Sequence, residues 1–431
     1  MDIAPSVTSS TTARASWAAT WPIVVALFGC IFLQRFGIPL GEFKLPVVIP
    51  VIAAVFFVLL IQNRAMIAEW PAVFYLFFCV YALFSAGLAL AVPSQGTTAS
   101  VPSLGYLLLL YAFIVLRVRP APGAIETFRI FRGFVTIIAI CAIVQFPAQF
   151  AGLRLFSFAD VVPDRLLLES MYNVVVPVWY GASIYKANGF FLLEPSFLSQ
   201  FVAVALVIEF LYFGSPIRMG LFMLALLVAF SGTGFLILGF AVAATSVLER
   251  RALGRLLVLL IVGGTVLALF ATLVAPEYIE SVLRRTSELE SNEASGFLRF
   301  ISPYMMVADA TADPRSILGF GPGTAERFDW LGYEYGVNAL TKILIEYGMP
   351  GLGLYVLLLV GSFYRPDMRA LSAIGFFWFV FGGGYHLTPA VVCTLATLLA
   401  WGPGAISRGA AAPAHLAPRV VRYPVPQNTE R

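Results

Sequence analysis

Charge is what this chain has least of. Of its 431 residues, 27 are Lys or Arg and 23 are Asp or Glu, 12% in all, against 60% hydrophobic residues. A soluble domain carries about 25% charged residues. Together with a mean hydropathy of +0.89, this excludes water as the main solvent, and the chain reads as a polytopic membrane protein. The net charge of +4 is spread along the sequence without a basic patch, which excludes nucleic acid as a partner. The only two histidines, His386 and His415, have no clustered partners, so neither a metal site nor any cofactor is expected. Cys30, Cys79, Cys141 and Cys393 each lie inside an apolar run without paired spacing and read as small hydrophobes.

What is there is mostly apolar helix. A bilayer core about 30 Å thick needs roughly 20 apolar residues per crossing. Runs at 17–36, 45–61, 70–92, 104–117, 133–150, 191–213, 217–231, 234–248, 256–275, 339–363, 370–385 and 387–402 predict about twelve transmembrane helices in an all-α membrane domain spanning 17–402. Residues 1–16 lack the basic start and cleavage site of a secretory signal and predict a retained cytoplasmic tail. Residues 403–431, rich in Ala, Pro and Arg, predict a disordered tail on the same side.

Two of these runs could equally form one long helix. A break at Ser231-Gly232-Thr233-Gly234 keeps Arg64, Arg117, Arg119, Arg129, Arg132, Arg218, Arg250, Arg251, Arg255, Arg365 and Arg369 on the cytoplasmic side, whereas an unbroken helix sends Arg250, Arg251 and Arg255 outward. The positive-inside rule therefore predicts the break. The two long connections, 151–190 and 277–338, then fall on the outer, periplasmic face, and long connections in a compact domain carry function or disorder. The second contains short amphipathic helices: Ile279, Val282, Leu283 and Leu289 keep near-helical spacing, and a further piece runs to Asp313-Pro314.

The candidate site residues gather on that face. In "YKANGFFLLEPSFLSQ", Pro195 suits the first turn of a helix, and Glu194 sits beside the positive end of its dipole. Two readings stand: a helix-start carboxylate, or a functional acid near hydrocarbon, where ionisable groups mark sites. The lone nearby cation in that stretch is Lys186. Ser231 and Thr233 add hydroxyls at the predicted break. Gly319-Phe320-Gly321-Pro322-Gly323 is either a tight turn or a close backbone approach to a ligand, but it lacks the lysine and hydroxyl of a P-loop. Arg284, Arg285, Arg299 and Arg327 supply guanidinium groups, and several of these converging would suit the oxygens of a diphosphate.

Four segments in order, "YKANGFFLLEPSFLS", "SGTGFLIL", "SGFLRFISPYMMVADATADPRSILGFGPGT" and "NALTKILIEYGMPGLGLYVLLL", resemble the bacterial O-antigen polymerase and ligase superfamily, most closely its Wzy-type exopolysaccharide polymerases. The resemblance spans roughly Tyr185 to Leu359. It implies a glycosyltransferase of the bacterial inner membrane that moves glycan from an undecaprenyl-diphosphate carrier to the sugar end of another lipid-linked repeat unit, on the periplasmic side and without a metal. A chain-length regulator and export machinery are the protein partners it implies. Lys186 falls where many members carry an arginine, and Arg299 matches the arginine of the second loop. Asn338 takes the place of a histidine found in ligases. Glu194 and Arg299 are thus the expected catalytic residues, with Lys186, Arg327, Arg284, Arg285, Asn338, Ser231 and Thr233 expected to bind substrate. Ligase-like transfer to a lipid or protein, or a transporter or flippase, are the competing expectations.

Overall fold

The computed structural model describes residues 8–41, 43–92, 99–178, 181–273, 297, 300–325, 337–382 and 388–401. The backbone is predominantly helical: α1 (Thr8–Phe32), α2 (Val48–Ile61), α3 (Glu69–Ala91), α4 (Val101–Ala112), α5 (Ala124–Ala148), α6 (Pro195–Ile208), α7 (Pro216–Val228), α8 (Gly232–Leu248), α9 (Leu253–Leu273), α10 (Ser302–Ala310), α11 (Ala339–Phe363), α12 (Arg369–Phe381) and α13 (Pro389–Leu395). Among the described residues, five helical segments are long and apolar enough to cross a membrane: Glu69–Ala91, Ala124–Ala151, Pro195–Phe213, Leu253–Phe270 and Ala339–Phe363. Seven more are apolar but shorter. The chain is a membrane protein built of helices.

The helical backbone agrees with the all-α expectation, and the few strands are short. Two small antiparallel pairs join helix ends, β1 (Gly37–Leu40) with β2 (Phe43–Pro46) and β3 (Ala65–Ile67) with β4 (Leu116–Val118). Backbone that leaves a helix still needs hydrogen-bond partners, and a short ladder supplies them.

Helix α6 is the axis of the bundle. It packs against α5, α7, α8 and α12, while α3 pairs with α11 and α1 packs on α2, α5 and α13. All fourteen residues of α6 are buried. A π turn at Glu209–Phe213 and a left-handed Gly214 end this segment, and Ser215-Pro216 starts the next.

The α7–α8 break is real in the backbone: Phe230 has φ +45°, Ser231 is extended, and α8 starts at Gly232. Helix α11 is kinked at Gly348 (φ +65°). The second amphipathic piece of the long connection folds as α10. After it, the Asp313 carboxylate accepts the Arg315 N–H at 2.8 Å, capping a 3-10 turn at Pro314–Ile317.

Candidate functional site

Pro195 occupies the first turn of α6, and the residue before a proline is pushed toward extended backbone. Glu194 accordingly stands at the N-cap with φ −139° and ψ 159°. Its side chain does not cap the amides of its own helix. Instead, Oε1 accepts the backbone N–H of Asn173 at 3.1 Å, and Oε2 accepts the Ser196 hydroxyl at 2.8 Å. Two donors fix the orientation of the half-buried carboxylate. Each oxygen has a second lone pair for another partner.

The first turn of α6 connects to the break. The Ser199 hydroxyl donates to the Ser196 carbonyl at 2.8 Å and pairs with Thr233 Oγ1 at 3.0 Å, which pairs in turn with Ser231 Oγ at 3.0 Å. This closeness requires Gly234, where an added Cβ would fall 2.5 Å from the Ser199 carbonyl oxygen. Ser231 and Thr233, expected as substrate contacts, thus hold α8 against the helix that carries Glu194.

The segment before Glu194 is tied down by an amide pair. Gln145 of α5 donates to Asn188 Oδ1 at 2.9 Å and to the Leu155 carbonyl, while its own Oε1 accepts the Asn188 and Gly189 N–H groups, both at 3.0 Å. Asn188 Nδ2 reaches the carbonyls of Val174 (3.0 Å) and Phe156 (3.2 Å). Burying two amides is favourable only when their donors and acceptors are matched, as here.

Lys186 is half-buried on the neighbouring strand-like stretch. Its N–H donates to Val176 at 2.8 Å, and the next residue, Ala187, donates to Val228 at 3.0 Å, in the last turn of α7 just before the break. The structure therefore gathers the Lys186 segment, Glu194, Ser231 and Thr233 at one end of the bundle. Arg154 stacks its guanidinium 5.7 Å from the Tyr185 ring, adding a cation to the same loop.

Arg35 is the residue that sequence reasoning missed. It is fully buried after the end of α1, where Nε donates to the Leu192 carbonyl at 2.8 Å and Nη1 to the Phe156 carbonyl at 2.8 Å and to Glu169 Oε1 at 3.0 Å. Burial pulls its pKa down to about 10, against the opposing influence of the Glu169 carboxylate, so it stays cationic at neutral pH. Glu169 also accepts the Ser157 hydroxyl and the Phe158 N–H (3.0 Å). One signal was available: Arg35 is the sole charge in "WPIVVALFGCIFLQRFGIPL", and a lone charge beside a long apolar run marks a site.

The glycine turn serves packing. Phe320 and Gly321 N–H groups donate to the Ile345 and Glu346 carbonyls, each at 2.9 Å. Gly319 (φ +91°) would place a Cβ 2.4 Å from the Glu346 oxygen, and Gly348 (φ +65°) would place one 2.1 Å from the Ile317 oxygen. The turn's backbone closes on α11, leaving the tight-turn reading of the two. Beside it, Lys342 and Glu346 form a buried ion pair at 2.7 Å, one helical turn apart. Asn338 caps α11, its Oδ1 accepting the Leu340 and Thr341 N–H groups at 3.0 Å each. Asn338, expected to bind substrate, is thus placed as the cap of α11.

At the far end of α6 the chemistry is cationic. Arg132 pairs with the fully buried Glu209 at 2.9 Å and lies 3.7 Å from the Phe213 ring, and Arg255 donates to the Leu211 carbonyl at 2.5 Å. Glu194 and Glu209 are about 22 Å apart at 1.5 Å per residue. Arg284, Arg285, Arg299 and Arg327, like the tail at 403–431, lie outside the described residues. Compared with protein-family models, curated proteins and solved structures, the chain matches none of them.

Proposed function

We propose that this protein is a membrane glycosyltransferase, a polysaccharide polymerase that uses undecaprenyl-diphosphate-linked repeat units on the outer face of the inner membrane. All twelve apolar helical segments cross the bilayer in this reading. The observation that carries it is the oriented, half-buried Glu194 carboxylate at the start of α6, the helix whose first turn is hydrogen-bonded to the α7–α8 break. The arginine-rich end of α6 lies opposite, as the positive-inside rule asks of an extracytoplasmic site.

The chemistry needs few groups. The acceptor hydroxyl attacks the anomeric carbon of the donor, a new C–O bond forms, and the bond to the lipid diphosphate breaks. The hydroxyl proton passes to Glu194 as general base, which requires approach to within ~2.6–3.2 Å or through one water. The leaving diphosphate carries its electron pair away as a stable anion, so cations matter more than a general acid. Lys186 is assigned that role, joined by Arg299 and Arg327 from the second long connection. The resemblance in four ordered segments supports the same assignment.

The test is to incubate purified protein with lipid-linked repeat units and separate the products by length. A ladder of extended glycans on the carrier is expected. Glu194→Gln should reduce its rate by roughly 10²–10⁴-fold, the usual worth of a general base. Transfer to a non-glycan lipid or a protein without a ladder would identify a ligase instead. Movement of intact repeat units across a vesicle membrane without elongation would identify a flippase.

A further inference from the structure

Residues 34 and 35 touch the chain on both sides of the Glu194 carboxylate. Arg35 Nε holds the Leu192 carbonyl at 2.8 Å, and Gln34 Oε1 accepts the Leu193 N–H at 3.3 Å, so the two residues before Glu194 are gripped by adjacent side chains. Gln34 is itself fixed by donating to the Cys30 carbonyl at 3.0 Å, within the last turns of α1.

On the other side, the Arg35 carbonyl accepts the Leu168 N–H at 2.8 Å, and Arg35 Nη1 binds Glu169. Four residues after Glu169, Asn173 presents its N–H to Glu194. Lys44 secures the same stretch by donating to the Asp164 and Leu167 carbonyls at 2.9 and 2.7 Å. Both arms of the grip are built on a fully buried guanidinium, whose planar fork can serve several acceptors at once.

We propose that Gln34 and Arg35 are positioning residues for Glu194: they clamp its preceding backbone and, through Glu169, set the stretch whose Asn173 amide orients the carboxylate. This rests on the polymerase reading only for its activity readout. The clamp itself is a claim about backbone order and can be measured separately.

The experiment compares full-length Arg35→Met, Arg35→Lys, Gln34→Met, Glu194→Gln and the double variant Arg35→Met/Glu194→Gln in nanodiscs. Hydrogen exchange is followed in peptides covering 168–174 and 190–197, and elongation kinetics are measured on lipid-linked repeat units. Arg35→Met is expected to speed exchange at the Asn173 and Leu193 amides at least tenfold, with peptides of α7 and α11 unchanged. It is also expected to lower kcat at least tenfold with KM within twofold. Arg35→Lys, which keeps the charge and loses the fork, should recover part of both. Should Arg35→Met fail to fold, Gln34→Met decides: it removes the Leu193 bond together with the side chain's own tie to the Cys30 carbonyl, leaves the Arg35 contacts in place, and should speed exchange at the Leu193 amide about threefold.

The double variant separates positioning from general support. If Arg35 acts through Glu194, Arg35→Met/Glu194→Gln turns over no more slowly than Glu194→Gln alone, because coupled residues are non-additive. Multiplicative losses would overturn the proposal, as would unchanged exchange at Asn173 and Leu193 in Arg35→Met or, where that variant does not fold, at Leu193 in Gln34→Met. If Glu194→Gln retains full activity, the general-base reading falls, and the exchange data still decide whether the clamp exists.

Discussion

Helices α6 and α9 would be hard to rank by sequence as inner or outer. Both are strongly apolar, and α9 is the more apolar of the two. Yet 83% of the Pro195–Phe213 span, which contains α6, is buried in protein, against 22% of the Leu253–Phe270 span of α9. Leu257, Leu260, Ile261 and Leu269 of α9 turn outward, whereas no side chain of α6 does. In water that outward face would be untenable. In lipid it is the normal state, because acyl chains are as apolar as leucine and give a helix no hydrophobic reason to seek the interior. What draws α6 inward is packing and hydrogen bonding: Ser199 to α8, and Gln200 to the Trp378 indole N–H at 2.9 Å and the Gly382 carbonyl at 2.6 Å.

The largest test of this contrast is steric. Gly234→Val should drive α8 off α6, since even a Cβ meets Ser199 backbone at 2.5 Å, and should cost about 3 kcal/mol or more. Gly264→Val on α9 meets no atom within 4 Å at its Cβ and should change stability by about 0.5 kcal/mol at most. Thermal unfolding of both variants in the same detergent measures the difference, and equal destabilisation would contradict the proposed roles of the two helices.

A smaller effect is expected from truncation. Leu206→Ala, at a fully buried position, should cost about 2–3 kcal/mol through lost dispersion contacts and a residual cavity. Leu260→Ala, 55% exposed, should fall within about 0.5 kcal/mol of the parent. Chemical denaturation in mixed micelles reads both. Of the three changes that touch the packing of α6, the smallest effect belongs to Gln200→Leu, which leaves the Trp378 N–H and the Gly382 carbonyl without their partner and should cost about 1–2 kcal/mol. Its checks are the unfolding midpoint and Trp fluorescence, and an unchanged protein would assign the inward pull to shape alone.

Legibility of the site followed the same divide. The break at Ser231 could be read because charge bias along the chain needs no knowledge of partners. Pro195 and Glu194 could be placed because capping chemistry is local. Asn188 and Gln145 could not: they are 43 residues apart in sequence, and an amide carries no mark of what it will face. Arg35 was visible as an isolated charge, but its grip on Leu192, Phe156 and Glu169 spans 121 to 157 residues. The glycine turn looked equally suited to a ligand, because the positive φ that it needs is the same whether the close neighbour is a phosphate or the carbonyl of Glu346.

Composition and periodicity determined by themselves that the chain lives in lipid, that it is helical, where its apolar segments lie and which ends of them are cationic. These are averages over neighbouring residues, and the bilayer acts on such averages. The tertiary structure alone decided that α6 is central, that α9 lies outside, and that Glu194 is held by an amide and a hydroxyl instead of capping its helix. Those outcomes depend on individual close contacts between segments remote in sequence, and in a solvent as apolar as the protein interior no average distinguishes them.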